Sequence, residues 1–379
     1  MMAGNGDTRL LAAAVPFADL SRLAPTDRIR AAVDEVLEDG RFVGGPAVAL
    51  FEQEFAQYCG TSHCVGVSSG TAALQAALQA YGVGRDDEVI TVAATFVATA
   101  AAIVTIGAVP VFVDIDPVHR TCRPDLVRAA VTPRTKAIVP VDYYGHPADM
   151  TALREIADEY GLILVADGAQ AHGATYRGRR VGSLADVTCF SFYPSKNLGA
   201  LGDAGAVTTD DPVIAERIRQ LRNHGRGQDR DDHVRIGQNW RLDTIQAAAL
   251  LVKLSCLDEW NALRREAARQ YGQLLSDTEF ELPAVDPRVE HAYHLYVVRH
   301  HRRDAVRLGL AEHGVDTRVH YPCPVHLMPI FRRYRTRPLP DTEALAAECL
   351  SLPLFPGITE AELHRVATAV HQVLRSPRA

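Results

Sequence analysis

The residue best suited to covalent chemistry in this chain is Lys196. The sequence contains only three lysines, Lys136, Lys196 and Lys253. Lys136 lies in an apolar run typical of a strand, and Lys253 lies in a helical pattern rich in Ala and Leu. Lys196 instead follows a β-type run and precedes a glycine-rich loop, a position that suits a reactive amine. If the protein forms a Schiff base, we expect Lys196 to be the lysine that forms it.

A second candidate, Asp167, ends the apolar run LILVAD. Carboxylates at the carboxyl ends of parallel strands commonly contact ligands, although the spacing alone fits a helix cap or a loop ion pair equally well. Ser191 and Lys196, which follow along the chain, favour the ligand. A carboxylate keeps a facing pyridine nitrogen protonated while a lysine supplies the imine, and this pairing tunes pyridoxal phosphate. The lysine can then move a proton from the substrate carbon.

Two other polar segments are more ambiguous. Ser69-Gly70-Thr71 lies between a strand-like run and a helical pattern, where backbone N–H groups and the helix dipole can bind phosphate. Taken alone, the segment is more simply an ordinary helix N-cap. His320 and Tyr321 stand near a strand-like run further along the chain, and a single histidine there is more often structural than catalytic. Each segment therefore indicates a functional site only in combination with the other motifs of the chain.

Composition narrows the class of protein. The 379 residues are 47% hydrophobic and 23% charged, which is ordinary for a globular protein. A net charge of −6 gives no electrostatic footprint for nucleic acid. The seven cysteines form no CxxC pair, which indicates reduced thiols and a cytoplasmic location. The sequence lacks an apolar run of about eighteen residues, so we expect no membrane span, and we expect no metal.

The order of the predicted elements indicates an α/β protein with two domains. Residues 1–15 are expected to form a loose tail. From His63 onward, short apolar runs alternate with helical patterns, which predicts a mostly parallel sheet covered by helices on both faces. After about residue 250, long helices and proline-rich segments are typical of a smaller α+β domain. We predict a large domain over residues 16–250 and a small C-terminal domain over residues 251–379.

Several motifs, taken in order, resemble one family. They include VSSGTAALQ, VDYYGHPADM, LVADGAQAHGATYRG, SFYPSKNLGALGDAGAV, GQNWRLDTIQAA and HYPCPVH. The chain resembles the DegT-like sugar aminotransferases from about residue 16 to residue 370. These enzymes have the aspartate aminotransferase fold, type I among pyridoxal phosphate enzymes. The resemblance implies a large domain with a mostly parallel, seven-stranded type of sheet, a smaller C-terminal α+β domain and a homodimer as the active unit.

The resemblance also implies roles for residues around the cofactor ring. Lys196 forms the Schiff base with pyridoxal 5'-phosphate, and Asp167 pairs with the pyridine nitrogen. Gln170 contacts the hydroxyl oxygen of the ring, and Phe96 stacks on the ring face. Relatives that dehydrate sugars carry His at the lysine position, so Lys196 indicates a transaminase.

The phosphate group of the cofactor has its own implied ligands. Gly70, Thr71 and Ser191 hold it within one subunit, and Asn239 reaches the phosphate of the neighbouring subunit's cofactor. From the residues alone, Asn239 in GQNWRLD could equally be a capping residue at the start of a helix. Relatives usually carry a smaller side chain or Tyr where Trp240 stands.

The substrate class rests on the resemblance too. The run NLGALGDAGAV is similar to that of enzymes that aminate C3 of nucleotide-linked 3-keto-6-deoxyhexoses. The resemblance implies L-glutamate as the amino donor, pyridoxamine 5'-phosphate in the second half-reaction and a dTDP-linked acceptor. The product would be an amino sugar for an antibiotic-like secondary metabolite or a surface polysaccharide. C4 keto-sugar and cyclitol (scyllo-inosose type) aminotransferases stay open as alternatives.

The wall of the sugar site is expected to contain His320, Tyr321 and His326. A more distant alternative is a non-catalytic regulatory protein that binds the cofactor, since some members of the family were first taken to be regulators. That alternative predicts a DNA-binding extension or a damaged site. The sequence shows no helix-turn-helix pattern, and Asp167 and Lys196 are both present. An enzyme is therefore the favoured interpretation.

Overall fold

The computed structural model describes residues 14–229 and 231–376. These residues form twelve α-helices and twelve β-strands. The helices are α1 (Thr26–Asp39), α2 (Pro46–Cys59), α3 (Gly70–Ala80), α4 (Val97–Thr105), α5 (Pro124–Ala130), α6 (Met150–Tyr160), α7 (Pro212–Leu221), α8 (Thr244–Leu254), α9 (Leu257–Leu274), α10 (Arg303–Glu312), α11 (Pro340–Glu348) and α12 (Glu360–Leu374). The strands are β1 (His63–Val67), β2 (Glu88–Val92), β3 (Val109–Val113), β4 (Thr135–Val139), β5 (Ile163–Asp167), β6 (Thr175–Tyr176), β7 (Arg179–Arg180), β8 (Val187–Ser191), β9 (Gly205–Thr209), β10 (Val289–Glu290), β11 (Tyr296–Arg299) and β12 (Cys349–Leu352).

The main sheet has seven strands in the order β1-β9-β8-β5-β4-β2-β3. Pairing is parallel from β8 through β5, β4 and β2 to β3, whereas β9 pairs antiparallel with both β8 and β1. Because β1 and β8 are each antiparallel to β9, they run in the same direction. Six strands therefore end at one edge of the sheet, which confirms the predicted α/β fold with a mostly parallel sheet.

Both faces of this sheet are covered by helices. Alternate residues of a strand point to opposite faces. Ile138 of β4 and Leu164 of β5 pack on one face with α5 and α6, and Ala137 and Val165 pack on the other with α3, α4 and α7. The continuous apolar runs seen in the sequence are the result of this two-sided burial. The polar ends of the strands are left free to contact a ligand.

The C-terminal part of the chain builds a separate apolar cluster. The antiparallel pair β11–β12 packs with α9, α10 and α12, and Tyr271, Tyr296 and Val370 are buried among them. Helix α8 ends at Leu254, and α9 begins three residues later at Leu257. The boundary between residues 250 and 251 stays a prediction.

The N-terminal tail differs from the prediction at its last residue. Val15 is fully buried in the C-terminal cluster, and its N–H donates to the carbonyl oxygen of Gly314 at 2.9 Å. It also forms a parallel bridge with Val315. A loose tail through residue 15 is therefore wrong at Val15, because one apolar side chain and one backbone bridge suffice to fix it. Residues 1–13 lie outside the described residues.

None of the helices formed by residues 14–229 and 231–376 is both long and apolar enough to cross a membrane.

Candidate active site

Asp167 is the last residue of β5 and lies buried at the edge where the parallel strands end. Thr99 Oγ1 donates to its Oδ2 at 2.7 Å, and the N–H of Ala169 donates to its Oδ1 at 3.2 Å. Burial raises the pKa of Asp167, while these two donors and the charge of Lys196 act in the opposite direction. The site thus contains a buried carboxylate with two neutral donors and a nearby amine.

Lys196 lies in the loop between β8 and β9, and its side chain lines a cavity of about 530 Å³. Burial lowers the pKa of Lys196 to about 8, although the charge of Asp167 acts to raise it. A lysine with this pKa is partly neutral near neutral pH. Since only the neutral amine is a nucleophile, the surroundings prepare Lys196 to form an imine.

The next residue holds the lysine loop in place. The side-chain amide of Asn197 donates to Asn261 Oδ1 at 2.8 Å and to the carbonyl oxygen of Ala292 at 2.9 Å. His294 Nδ1 lies 3.2 Å from the amide oxygen of Asn197. All three polar partners are buried, so the backbone beside Lys196 is fixed by a connected polar network.

The predicted phosphate segment forms the start of α3. Ser69 is the N-cap, and its side-chain oxygen accepts from the N–H of Ala72 at 3.1 Å. Gly70 is the first helical residue, and a Cβ there would come within 2.7 Å of Ser191 Cβ. The hydroxyl-bearing end of β8 therefore lies against the helix N-terminus, with Thr71 as the second helical residue. Exposed N–H groups and a hydroxyl at one place suit a phosphate.

The residues expected at the cofactor ring occupy two different environments. Gln170 is buried just beyond Asp167, and its Oε1 accepts from the N–H of Tyr144 at 2.7 Å. Phe96 precedes α4 and is 52% exposed, with its ring centroid 5.5 Å from that of Tyr321. Helix α4 begins at Val97, so that Phe96 stands at the N-cap position. An exposed aromatic ring at this position is available for stacking.

His320 and Tyr321 lie close to the reactive pair. Burial raises the pKa of Tyr321 to about 12, and the charge of Asp167 adds to this. Burial lowers the pKa of His320 to about 4, with a further contribution from Lys196, so the ring is neutral. Its Nδ1 lies 2.8 Å from Ser351 Oγ. Both residues therefore lie near Lys196 and Asp167, and their contact with a substrate stays a prediction.

His326 is the third residue expected at the wall of the sugar site. Its side chain is fully buried beside Phe112, and its Nε2 lies 3.1 Å from Glu343 Oε1 in α11. The short 3₁₀ turn that carries His326 directs the ring toward α11. A contact of His326 with the sugar stays a prediction.

Asn239 lies in an exposed segment before α8. Its backbone forms an antiparallel bridge with Asn223, and its side chain is exposed. The alternative that GQNWRLD opens a helix is not confirmed, because α8 begins at Thr244 and Asp243 occupies the N-cap position. The contact of Asn239 with a neighbouring subunit stays a prediction.

Sequence reasoning missed Thr99, which makes the closest side-chain contact to Asp167 in the described part of the chain. Thr99 Oγ1 also lies 2.8 Å from Thr95 Oγ1. Thr95 precedes the N-cap and Thr99 lies in the first turn of α4. Two threonines at the start of an Ala-rich helical pattern were a usable signal, because polar side chains at a helix N-terminus often bind charged groups.

These residues fit pyridoxal phosphate on three observations. Asp167 is a buried carboxylate, and among the described residues Lys196 is the one cation that acts on it. A protonated ring nitrogen would therefore supply the partner that a buried carboxylate needs. The α3 N-terminus and Ser191 suit the phosphate. Lys196 has the lowered pKa that an imine-forming amine requires. In contrast, no group of three or more His, Cys, Asp or Glu side chains within the described ranges could hold a metal ion.

Comparisons with known proteins agree with this geometry. Over 365 residues the chain is 47% identical to the dTDP-3-amino-3,4,6-trideoxy-alpha-D-glucose transaminase of Streptomyces venezuelae, covering 94% of this chain and 96% of that protein. It is 50% identical over 362 residues to the erythromycin biosynthesis sensory transduction protein EryC1 of Saccharopolyspora erythraea, covering 93% of this chain and 98% of that protein.

A solved structure is equally similar. The crystal structure of S. venezuelae DesV in complex with a ketimine intermediate matches with a TM-score of 0.93 and 46% identity, covering 96% of this chain and all of that one. The model of the DegT/DnrJ/EryC1/StrS aminotransferase family matches residues 25–371. This chain therefore belongs to the DegT/DnrJ/EryC1/StrS aminotransferase family and is a pyridoxal-phosphate-dependent transaminase.

Proposed function

We propose that this enzyme transfers an amino group from L-glutamate to C3 of a dTDP-linked 3-keto-6-deoxyhexose. The single observation that carries the chemistry is the buried pair of Asp167 and the partly neutral Lys196 at one edge of the sheet. The choice of sugar is supported by the name of the S. venezuelae relative, a dTDP-3-amino-sugar transaminase. The product would be an amino sugar for a secondary metabolite or a surface polysaccharide.

Bound pyridoxal phosphate supplies an electron sink for the carbanion formed at the substrate carbon, and a carbon that carries the amino group as pyridoxamine phosphate. Asp167 keeps the ring nitrogen protonated through its buried negative charge, and Thr99 holds that carboxylate by its 2.7 Å hydrogen bond. Lys196 Nζ removes the proton from the α-carbon of the donor, and in the second half-reaction returns a proton to the sugar carbon.

The remaining contacts orient the cofactor and the acceptor. Gly70, Thr71 and Ser191 hold the phosphate at the α3 N-terminus, and Gln170 contacts the ring hydroxyl. Phe96 stacks on the ring face. We propose His320 and Tyr321 as the sugar-side wall, because both lie beside the reactive pair and are kept neutral by burial.

We further propose a homodimer in the cytoplasm. Asn239 is exposed, as a residue that completes a neighbouring subunit's phosphate site must be. The seven cysteines form no disulfide, which fits a reducing compartment.

Two alternatives concern the acceptor and the class of protein. C4 keto-sugar and cyclitol aminotransferases share the reactive residues, and the hydroxyl pattern of the acceptor decides among them. EryC1 carries the name of a sensory transduction protein. Cofactor binding alone would need the phosphate site, whereas the buried Asp167 and the partly neutral Lys196 supply the proton-transfer chemistry that catalysis requires. We therefore favour the enzyme.

The test uses the pyridoxamine phosphate form of the wild type. Offered dTDP-linked 3-keto and 4-keto hexoses and scyllo-inosose separately, it should return to the pyridoxal phosphate spectrum with the 3-keto sugar at least ten-fold faster than with the others. A faster return with a 4-keto sugar or scyllo-inosose would overturn the C3 assignment. A protein that returns with none of them would overturn the proposed class of acceptor.

A further inference from the structure

The cavity beside Lys196 has an excess of positive charge. It lies between the segment that leads into α1, the loop that carries Lys196, and helices α8 and α9. Its lining contains five cationic side chains and one carboxylate. The cations are Arg22, Arg30, Lys196, Lys253 and Arg264, and the carboxylate is Asp19. Because the chain as a whole has a net charge of −6, this excess is a local feature of the cavity and not a result of composition.

The single carboxylate of the lining does not neutralise the deeper cations. Asp19 Oδ2 lies 3.3 Å from Arg22 Nε, and Arg22 Nη1 lies 2.7 Å from Glu362 Oε2. The three side chains thus form their own charge cluster at the N-terminal side of the cavity. Lys253 and Arg264, at the other side, have no carboxylate that compensates their positive charges within residues 14–229 and 231–376.

Arg264 is the more buried of these two cations, with 6% of its surface exposed. Its Nη1 donates to three main-chain carbonyls at 3.0–3.4 Å, and its Nε has no hydrogen-bond partner among the described residues. Burial lowers the pKa of Arg264 to about 10, and no carboxylate acts on it within the described ranges. A buried guanidinium without an anion is costly, so a bound anion would offset that cost.

Lys253 contributes the second cation. Its Nζ donates to the carbonyl oxygen of Gly199, three residues beyond Lys196, at 2.7 Å. Burial lowers its pKa as well, without a compensating carboxylate in the described part of the chain. An ammonium has three donors, so two N–H groups of Lys253 are left for a ligand after the bond to Gly199. The bond also places this ammonium on the loop of the reactive lysine.

We propose that Lys253 and Arg264 bind a carboxylate of the amino-acid donor in this cavity. The inference rests on the proposed function, because the donor must reach Lys196, which lines the same cavity. Hydrogen bonds between carboxylates and ammonium or guanidinium groups are among the strongest in proteins. The residues proposed for the cofactor phosphate, Gly70, Thr71 and Ser191, do not line this cavity, so its cations are free for another anion.

The diphosphate of a nucleotide sugar is the other anion that could use these cations. The carboxylate is favoured because the cations share one cavity with Lys196 and because Trp260 and Phe355 add apolar surface for the methylene groups of a donor such as glutamate. The two sources act in different half-reactions, which allows one variant to distinguish them.

The test replaces Lys253 by Met in the cofactor-loaded enzyme and measures each half-reaction separately. With L-glutamate, the concentration for half-maximal conversion should rise about ten-fold or more, as expected for the loss of a hydrogen bond between charged groups. The saturating rate should change less. With the keto sugar, conversion of the pyridoxamine phosphate form should stay within about two-fold of the wild type. An unchanged glutamate dependence would overturn the proposal, and an equal loss in both half-reactions would assign the cations to the sugar diphosphate instead.

Two matched variants control for general damage. Lys136→Met makes the same chemical change at an exposed position of β4 outside the cavity and should leave both half-reactions unaltered. Lys253→Arg keeps a cation and should restore most of the glutamate affinity lost in Lys253→Met. A failure of Lys253→Arg to restore it, with thermal unfolding unchanged, would show that the bond to Gly199 matters and not the charge.

Arg264 and the donor itself are tested by binding. Calorimetric titration of the loaded enzyme with glutarate, a dicarboxylate that cannot react, should show binding that weakens about ten-fold in Lys253→Met and in Arg264→Met but less in Arg264→Lys. Absence of glutarate binding to the wild type would overturn the carboxylate site. A wild type that binds glutarate yet fails to convert with glutamate would instead contradict the proposed donor, so the two failures are distinguishable.

Discussion

Thr99 Oγ1 donates a 2.7 Å hydrogen bond to Asp167 Oδ2, and this bond joins the N-terminal half of α4 to the carboxyl end of β5. Burial raises the pKa of Asp167, and the hydrogen bond from Thr99 acts to lower it. Since Asp167 is proposed to keep the cofactor ring protonated, Thr99 acts as a positioning residue.

Replacing Thr99 by Val should therefore raise the pKa of Asp167 further and weaken cofactor binding. The loss of a hydrogen bond to a charged group is about 1.5–3 kcal/mol, which corresponds to roughly 10–150-fold in the dissociation constant of pyridoxal phosphate. The absorbance of the bound cofactor should also titrate at a different pH. Thr99→Ser keeps the hydroxyl and serves as the control. Equal affinity in wild type and Thr99→Val would contradict the role of this bond.

The close approach between β9 and the α3 N-cap depends on Gly205. A Cβ at this position would come within 2.4 Å of the carbonyl carbon of Ser69, a main-chain atom that cannot rotate away. We expect Gly205→Ala to destabilise the protein by about 1–3 kcal/mol and to weaken phosphate binding. Gly272→Ala is the matched control, because the space around a Cβ in the interior of α9 is open and the change should stabilise by roughly 0.5–1 kcal/mol. Thermal unfolding should show a lower Tm for Gly205→Ala and a higher Tm for Gly272→Ala. An unchanged Tm of Gly205→Ala would contradict the close approach of β9 to the α3 N-cap.

The raised pKa of Asp142 predicts that the stability of the folded protein depends on pH. Burial raises the pKa of Asp142 to about 7, with the charge of Asp167 contributing in the same direction. The folded chain therefore binds this proton more tightly than the unfolded chain, and the contribution of Asp142 to stability falls as pH rises from about 4 to about 7.

Asp142→Asn should remove this dependence. The variant and the wild type should have similar unfolding free energies near pH 4, and the variant should be more stable near pH 8, by roughly 1–4 kcal/mol. Denaturant unfolding at both pH values measures this. If the unfolding free energies of the variant and the wild type differ by the same amount at pH 4 and at pH 8, Asp142 does not titrate in this range.

The proposed dimer predicts complementation between two inactive variants. Lys196→Ala lacks the reactive amine, and Asn239→Ala lacks the group proposed to complete the partner's phosphate site. In a mixed dimer, one site combines an intact lysine with an intact asparagine from the other subunit. Co-expression of the two should restore activity to about a quarter of the wild type, since about half of randomly paired dimers are mixed and each has one intact site. Activity no higher than that of the separate variants would place Asn239 outside the neighbouring site.

The main sheet was predictable from the sequence because its strands are buried on both faces and read as continuous apolar runs. Lys196 and Asp167 were predictable because reactive residue types followed such runs, where parallel strands end. The sequence could not show that Thr99 meets Asp167, since that contact depends on the rotation of α4 against β5.

Other features could not be predicted from the sequence for equally local reasons. His326 is close in sequence to His320, but a 3₁₀ turn directs its ring to Glu343 and away from the cavity. Arg264 lies in an Arg-rich helix, and composition cannot distinguish its buried side chain from its exposed neighbours. Val15 was included in the tail because the short apolar stretch that it ends, LLAAAV, carries no periodic signal.

The absorption spectrum of the cofactor-loaded protein tests the central claim most directly. We expect the wild type to show the Schiff-base band of bound pyridoxal phosphate and to convert to the pyridoxamine phosphate spectrum when L-glutamate is added. Lys136→Ala should behave like the wild type, whereas Lys196→Ala should lack the band and the conversion. A Lys196→Ala protein that keeps the Schiff-base band would contradict the assignment of Lys196 as the reactive amine.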